Sequence, residues 1–227
     1  MLANFLIPIH PEGWRFIAIF AAVTLALAWT VLFWPLFIAT LWCVYFFRDP
    51  PRLTPTRPGL FVAPADGLVQ TVEPAIPPAE LGLGDRPMMR ISTFLSVFDV
   101  HINRIPIDAT IDVVAYHPGK FLSAANDKAA DVNERQAVSL TLPDGRQAVV
   151  VQIAGLVARR IVCHLKPAQV VRAGERYGLI RFGSRTDLYL PPGARVLVAP
   201  GQRMIGGETV MAELDPARSG ARTAIDV

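Results

Sequence analysis

Residues 16–47 are 32 consecutive positions without a charged side chain, most of them apolar, the pattern of a membrane-embedded segment. As one helix the segment would run about 48 Å at 1.5 Å per residue, well beyond a hydrocarbon core of about 30 Å. Pro35 lies near its middle, where it breaks or kinks a helix. Arg15 precedes the segment, and Arg48, Arg52 and Arg57 follow it. Basic flanks at both ends favour keeping both on the cytoplasmic side, hence a hairpin of two short helices, with a single tilted span as the rival. Trp42, Tyr45, Phe46 and Phe47 suit an aromatic belt where the chain leaves the bilayer. Ala26-Leu27-Ala28 imitates a signal-peptide cleavage site, but cutting there would leave a second apolar stretch, 31–47, at the new terminus. A retained anchor over residues 1–47 is the expectation.

Beyond it the pattern changes period. Residues 48–59, Arg-Asp-Pro-Pro-Arg-Leu-Thr-Pro-Thr-Arg-Pro-Gly, read as a proline-rich, semi-extended linker. Residues 60–227 have the length of one domain. Short β-branched runs at 67–73, 110–116, 137–142, 148–153 and 195–199 read as strands, and Pro143-Asp144-Gly145-Arg146 as a hairpin turn. The run 156–165 is compatible with a strand or a short helix. The fold class predicted is mainly β (α+β): a single catalytic domain with small helical insertions, behind an N-terminal membrane-embedded helical hairpin.

Composition sharpens the anchor reading. Apolar residues make up 52% of the 227 and charged residues 18%, and mean hydropathy is +0.37, too apolar for all of that surface to face a protein core. Net charge is +3; basic residues just past an anchor fit anionic lipid headgroups. No basic run is interleaved with aromatics, so nucleic acid is not an expected partner. Cys43 and Cys163 are the two cysteines, too few for a disulfide framework or a zinc site, and no metal is expected.

The chemistry concentrates at Gly183-Ser184, inside Arg-Phe-Gly-Ser-Arg-Thr-Asp-Leu-Tyr-Leu-Pro (181–191). A serine after glycine can serve as a nucleophile if a base takes its proton. It can also attack the preceding Gly183 carbonyl, converting amide to ester, and then eliminate, leaving a pyruvoyl group where the serine was. Alone, a Gly-Ser pair is a turn. Three further segments accompany it. Pro64-Ala65-Asp66-Gly67 puts an aspartate in a turn before a strand, by itself an Asx-turn. Residues 94–106 carry Asp99, His101 and Arg104 among apolar neighbours, where a lone histidine is ordinarily a hydrogen-bonded core residue. Tyr116-His117-Pro118-Gly119-Lys120-Phe121 is a turn with a second histidine.

Together these segments resemble phosphatidylserine decarboxylases in their short bacterial form. The resemblance covers nearly the whole chain, from the apolar segment and Phe-Arg-Asp-Pro exit through Pro-Ala-Asp-Gly and Phe-Leu-Ser-x-Phe-Asp-Val-His-x-Asn-Arg-x-Pro to Phe-Gly-Ser. It implies self-cleavage between Gly183 and Ser184 into a β-chain of residues 1–183 and an α-chain of 184–227. Ser184 would become a covalent pyruvoyl cofactor, which forms a Schiff base with phosphatidylserine and releases phosphatidylethanolamine. Asp66 matches the aspartate of the self-cleavage apparatus, and His101 the histidine that assists decarboxylation. The chain departs at Arg104, where longer bacterial relatives carry a second histidine for self-cleavage; an arginine cannot act as a base at neutral pH, which leaves His101, His117 or Asp66. The resemblance also places the protein at the bacterial inner membrane with its catalytic domain on the cytoplasmic face. Phosphatidylserine and the chain's own cleavage fragment are the expected partners, and homo-oligomer formation is left open.

Two other readings use the same residues. A membrane-tethered serine hydrolase could employ Ser184, His101 and Asp66, since triads occur in several chain orders, but Gly-Ser-Arg-Thr lacks the second glycine of a nucleophile elbow. A non-enzymatic, membrane-anchored β-domain adaptor fits the composition and gives the ordered Asp, His and Gly-Ser set no role.

Overall fold

The computed structural model describes residues 7–119, 132–155, 160–181, 183–214 and 224–226, and divides them into two compact units. Lys120, Phe121, Phe182 and part of the 156–165 run lie outside the described residues. The first unit spans the N-terminus to Pro51 together with Phe98–Val100. It contains α1 (Trp14–Ala26) and α2 (Phe33–Phe46). The uncharged segment is therefore not one helix. The break falls at residues 27–32, not at Pro35, which sits in the first turn of α2, where a missing N–H leaves no intrahelical bond unmade. The two helices pack against each other, with the Thr24 and Thr40 hydroxyls 2.9 Å apart. At 13 and 14 residues each is about 20 Å long, and no described helix is long and apolar enough to cross a membrane.

The aromatic exit divides by role. Phe46 and Phe47 are buried, and Phe47 stacks on Phe16 at 5.5 Å, closing the base of the hairpin. Tyr45 stays exposed, with the Arg48 guanidinium 3.7 Å over its ring. At the opposite end Leu25, Trp29, Val31 and Trp34 are exposed, Trp29 almost completely.

The second unit is built of strands: β1 (Leu53–Pro55), β2 (Leu60–Val62), β3 (Gly67–Ala75), β4 (Met88–Leu95), β5 (Ile102–Arg104), β6 (Ala109–His117), β7 (Arg135–Thr141) and β8 (Gln147–Ala154). There follow β9 (Ile161–Cys163), β10 (Val170–Val171), β11 (Arg176–Ile180), β12 (Ser184–Leu190), β13 (Arg195–Val196), β14 (Arg203–Met204), β15 (Val210–Glu213) and β16 (Ala224–Asp226). Eight of them form one antiparallel sheet in the order β10-β6-β7-β8-β12-β4-β3-β14. The expected runs at 67–73, 110–116, 137–142 and 148–153 are β3, β6, β7 and β8. The predicted turn joins β7 to β8, with the Leu142 N–H donating to the Arg146 carbonyl. The 195–199 run forms a strand over its first two residues, and the Leu197 N–H also donates to the Met211 carbonyl of β15. β4 is absent from the sequence pattern because Arg90, Ser92 and Thr93 interrupt its apolar residues.

Alternation along these strands divides two cores. Leu188, Leu190, Val150, Leu140 and Ile91 face the larger one, and Val149, Val151, Ile153, Ala137 and Tyr189 the smaller. A three-stranded sheet, β5-β11-β9, lies on the larger-core side, through contacts described below. β12 sits centrally and is buried at all seven positions, which no half-exposed strand would be.

Candidate active site around Ser184

The chain passes from one sheet to the other between β11 and β12. Ile180 ends the three-stranded sheet, and Ser184 opens the central strand of the eight-stranded one. Gly183 makes the turn at φ +65, a left-handed conformation that costs other residues roughly 1–2 kcal/mol. Space is not the reason for glycine here, since a Cβ would meet nothing closer than 4.0 Å. The backbone angle is.

His101 directly precedes β5, which pairs with β11 at Ile102 opposite Leu179. That register brings the buried imidazole to the turn, where Nε2 accepts the Gly183 N–H at 3.2 Å. Accepting at Nε2 assigns the ring proton to Nδ1. The next residue, Ser184, pairs with Leu95 of β4 and Ala154 of β8. Its side chain is fully buried, and its Oγ has no hydrogen-bond partner among the described residues.

Asp66 reaches the same end of the sheet from β3, two strands from β12 and so roughly 10 Å away laterally. Its carboxylate accepts from Arg52 Nη2 at 2.7 and 2.9 Å and from the Gly206 N–H at 2.7 Å. Gly67, next in sequence, has φ +154, and a Cβ there would stand 2.2 Å from the Phe94 carbonyl, so the turn presses directly onto β4. His117 lies on the other flank. Register runs His117–Arg135–Ile153–Arg185 across β6, β7, β8 and β12, which sets it three strands from Ser184. Arg104 is buried, with Nη1 donating to the Gly174 carbonyl at 2.9 Å and its stem against Gly207. The structure thus joins His101 to Gly183-Ser184, holds Asp66 near by in an ion pair, and puts His117 apart.

Two groups of residues around β12 escape the sequence reading. On the smaller-core face, Arg185 and Asp187 form a two-bond pair, Nε to Oδ1 at 2.6 Å and Nη2 to Oδ2 at 2.8 Å, both side chains excluded from solvent. Arg90 on β4 stands 4.0 Å from Asp187 and also bonds Glu73; that bond holds the Glu73 carboxyl below its ordinary range. Burial, reinforced by the Asp187 charge, pushes the Tyr189 phenol up to about 12. Alternating charges within a strand otherwise flanked by apolar ones were the available signal.

At its Ser184 end the opposite face is polar, and several of its atoms lack a partner among the described residues. Thr186 lies between Thr93 of β4 and Gln152 of β8, and Gln152 Nε2 donates to Asn103 Oδ1 at 2.7 Å. All four are buried, and Thr93 Oγ1, Thr186 Oγ1, Asn103 Nδ2 and Gln152 Oε1 have no partner among the described residues. A buried polar atom left unpaired costs about 1–3 kcal/mol, and a folded protein holds few of them. Here several converge beside one serine.

The family model for phosphatidylserine decarboxylase matches residues 39–212. A phosphatidylserine decarboxylase proenzyme of Cereibacter sphaeroides is 58% identical over 226 residues, covering 97% of each chain. A protein of the same description from Ruegeria pomeroyi is 56% identical, over 94% of this chain and 99% of its own. That of Paramagnetospirillum magneticum is 57% identical, over 95% and 90%.

The Arg185–Asp187 pair predicts a specific stability pattern. Asp187→Ala leaves a buried guanidinium without its partner and should cost about 3–5 kcal/mol in urea unfolding. Replacing both together, Arg185→Met with Asp187→Leu, should cost far less. A single variant within about 1 kcal/mol of the parent would show that the pair does not hold this strand.

Proposed function

The chain belongs to the phosphatidylserine decarboxylase family, and from that premise we infer that it converts phosphatidylserine to phosphatidylethanolamine with a carbonyl made from its own Ser184. The observation that carries this reading is the turn itself. Gly183 is held in a left-handed conformation with its N–H on His101, and the adjacent Ser184 Oγ is buried with no hydrogen-bond partner among the described residues. A hydroxyl without a competing partner, next to a glycine carbonyl that no side chain shields, suits intramolecular attack.

Ser184 Oγ adds to the Gly183 carbonyl carbon, and the amide becomes an ester. Loss of the Ser184 α-proton then expels Gly183 as a carboxylate, and hydrolysis of the resulting enamine frees ammonia and leaves the pyruvoyl carbonyl. The proenzyme description of the relatives agrees with such a cleavage. The residues present fit the group, since the strand that would carry it is pinned on both edges by β4 and β8. Once formed, the pyruvoyl supplies an electron-accepting carbonyl next to the substrate amine, the task pyridoxal phosphate performs elsewhere.

His101, against the turn, is assigned to protonating the substrate α-carbon after CO2 departs. Asp66 is assigned to self-cleavage, oriented by Arg52 and Gly206. His117, three strands away, is the alternative base. The helical hairpin is assigned to the inner membrane, with residues 60–227 on the cytoplasmic face and 48–59 between them. Its exposed end of Leu25, Trp29, Val31 and Trp34 supports insertion, and helices about 20 Å long dip into one leaflet and return. Basic Arg15 and Arg48 then remain at the headgroups.

Mature protein should separate into chains of about 20.0 and about 4.8 kDa, the shares of 24.8 kDa due to 183 and 44 of 227 residues. The smaller should lack a free amino terminus and react with carbonyl reagents, and Ser184→Ala should stay whole and inactive. A fully active, uncut wild-type chain in intact-mass analysis would refute the pyruvoyl reading.

His101 and Asp66 should divide by step. Asp66→Ala should accumulate uncut chain on a denaturing gel. His101→Ala should turn over about 10²-fold more slowly in whatever fraction is cut, the loss expected for a general acid. Normal cleavage and wild-type turnover in His101→Ala would move the role to His117.

A chain beginning at Arg52 should still cut itself and act on detergent-dispersed phosphatidylserine, yet lose sedimentation with anionic vesicles. Vesicle binding equal to that of the full chain would remove the hairpin from the anchoring role.

A further inference from the structure

Nothing in the self-cleavage or protonation steps uses the polar row beside Ser184. Thr186 lies two residues along β12 on the same face, roughly 6–7 Å further in. Thr93 and Gln152 flank it in register on the neighbouring strands, and Asn103 closes over it from β5. β5 therefore delivers two side chains to this face at alternate positions: His101 to the turn, Asn103 to the row. The Gln152–Asn103 contact uses one donor and one acceptor, leaving the Asn103 Nδ2 donor and the Gln152 Oε1 acceptor without a partner among the described residues, together with the hydroxyls of Thr93 and Thr186. A structural role would pair these atoms with one another or replace them by apolar groups.

Accepting the decarboxylase reading, we propose that this row is the receiving site for the carboxylate of the substrate headgroup. With the substrate amine at residue 184, the carboxylate carbon stands two bonds, about 2.5 Å, beyond the nitrogen, on the way to Thr186. The two hydroxyls and the Asn103 amide supply donors to its oxygens. None is charged, because the nearest cation on this strand, Arg185, points to the opposite face and is held by Asp187. The carboxylate is therefore oriented without its charge being cancelled. When the Cα–carboxylate bond breaks, its electron pair stays on the α-carbon and neutral CO2 leaves. A site that fixes direction but does not neutralise charge opposes that departure little, the differential binding catalysis requires. The ethanolamine product has no carboxylate and makes none of these bonds, which separates substrate from product.

Thr93→Val and Thr186→Val in the full detergent-solubilised chain test this. Each should release the 44-residue chain at the wild-type rate and unfold at no lower temperature, because an unpaired buried hydroxyl is removed. Turnover of phosphatidylserine should fall roughly tenfold or more, a loss of bonds to the substrate, and Thr186→Ser should recover it. Borohydride trapping, read by the mass of the small chain, should capture less phosphatidylserine than wild type but as much phosphatidylethanolamine. Wild-type turnover with an unchanged trapping ratio in both variants overturns the proposal. So does a cleavage defect, or an equal loss of trapping with both lipids, which would place the hydroxyls in processing or folding. A wild-type chain that cuts itself but leaves phosphatidylserine untouched would remove the decarboxylase reading, and this inference with it.

Discussion

β12 is a polar strand in the middle of a buried sheet, and the rest of the structure is arranged around that constraint. Ser184, Arg185, Thr186 and Asp187 are all excluded from solvent between β4 and β8. In such a place each polar group must find a partner or destabilise the fold. On one face Arg185 and Asp187 solve the problem between themselves, with Arg90 and Glu73 extending the charge pattern outward. On the other, Ser184 and Thr186 leave it unsolved. The strand is thus locked on one face and carries polar atoms without partners among the described residues on the other.

The same opposition appears in the backbone. Gly183 holds a conformation other residues avoid, at the point where the chain leaves a three-stranded sheet for an eight-stranded one. Pairing along both edges of β12 fixes where that turn falls, and His101 fastens the Gly183 amide from outside the strand. The turn is thus held from three directions: β4, β8 and the segment leading into β5.

The N-terminal unit follows different physics. Its two helices are mostly apolar around their circumference and pack on each other through Phe16, Phe46 and Phe47 at the base and Thr24 and Thr40 further along. The far end presents Trp29 and its apolar neighbours outward. Backbone groups are satisfied within each helix, the condition for entering hydrocarbon, while the helices are too short to cross it.

What the sequence determines by itself is local. An uncharged 32-residue run with arginines at both ends, the β-branched runs of β3, β6, β7 and β8, and the Pro143-Asp144-Gly145-Arg146 turn follow from local residue preferences. Gly183-Ser184, His101 and Asp66 stand out in the sequence because the motifs that carry them occur together in one order. What only the tertiary structure decides is relational. Whether Pro35 breaks a helix or begins one depends on where the turn falls. β4 is invisible as a pattern because Arg90, Ser92 and Thr93 interrupt its apolar residues, and only the sheet supplies Glu73, Asp187 and Thr186 opposite them. That His101 rather than His117 stands at Gly183 depends on pairing between β5 and β11. That Thr93 Oγ1, Thr186 Oγ1, Asn103 Nδ2 and Gln152 Oε1 find no partner among the described residues is not a property of any one residue, since a polar atom is satisfied or orphaned only by what folding brings against it.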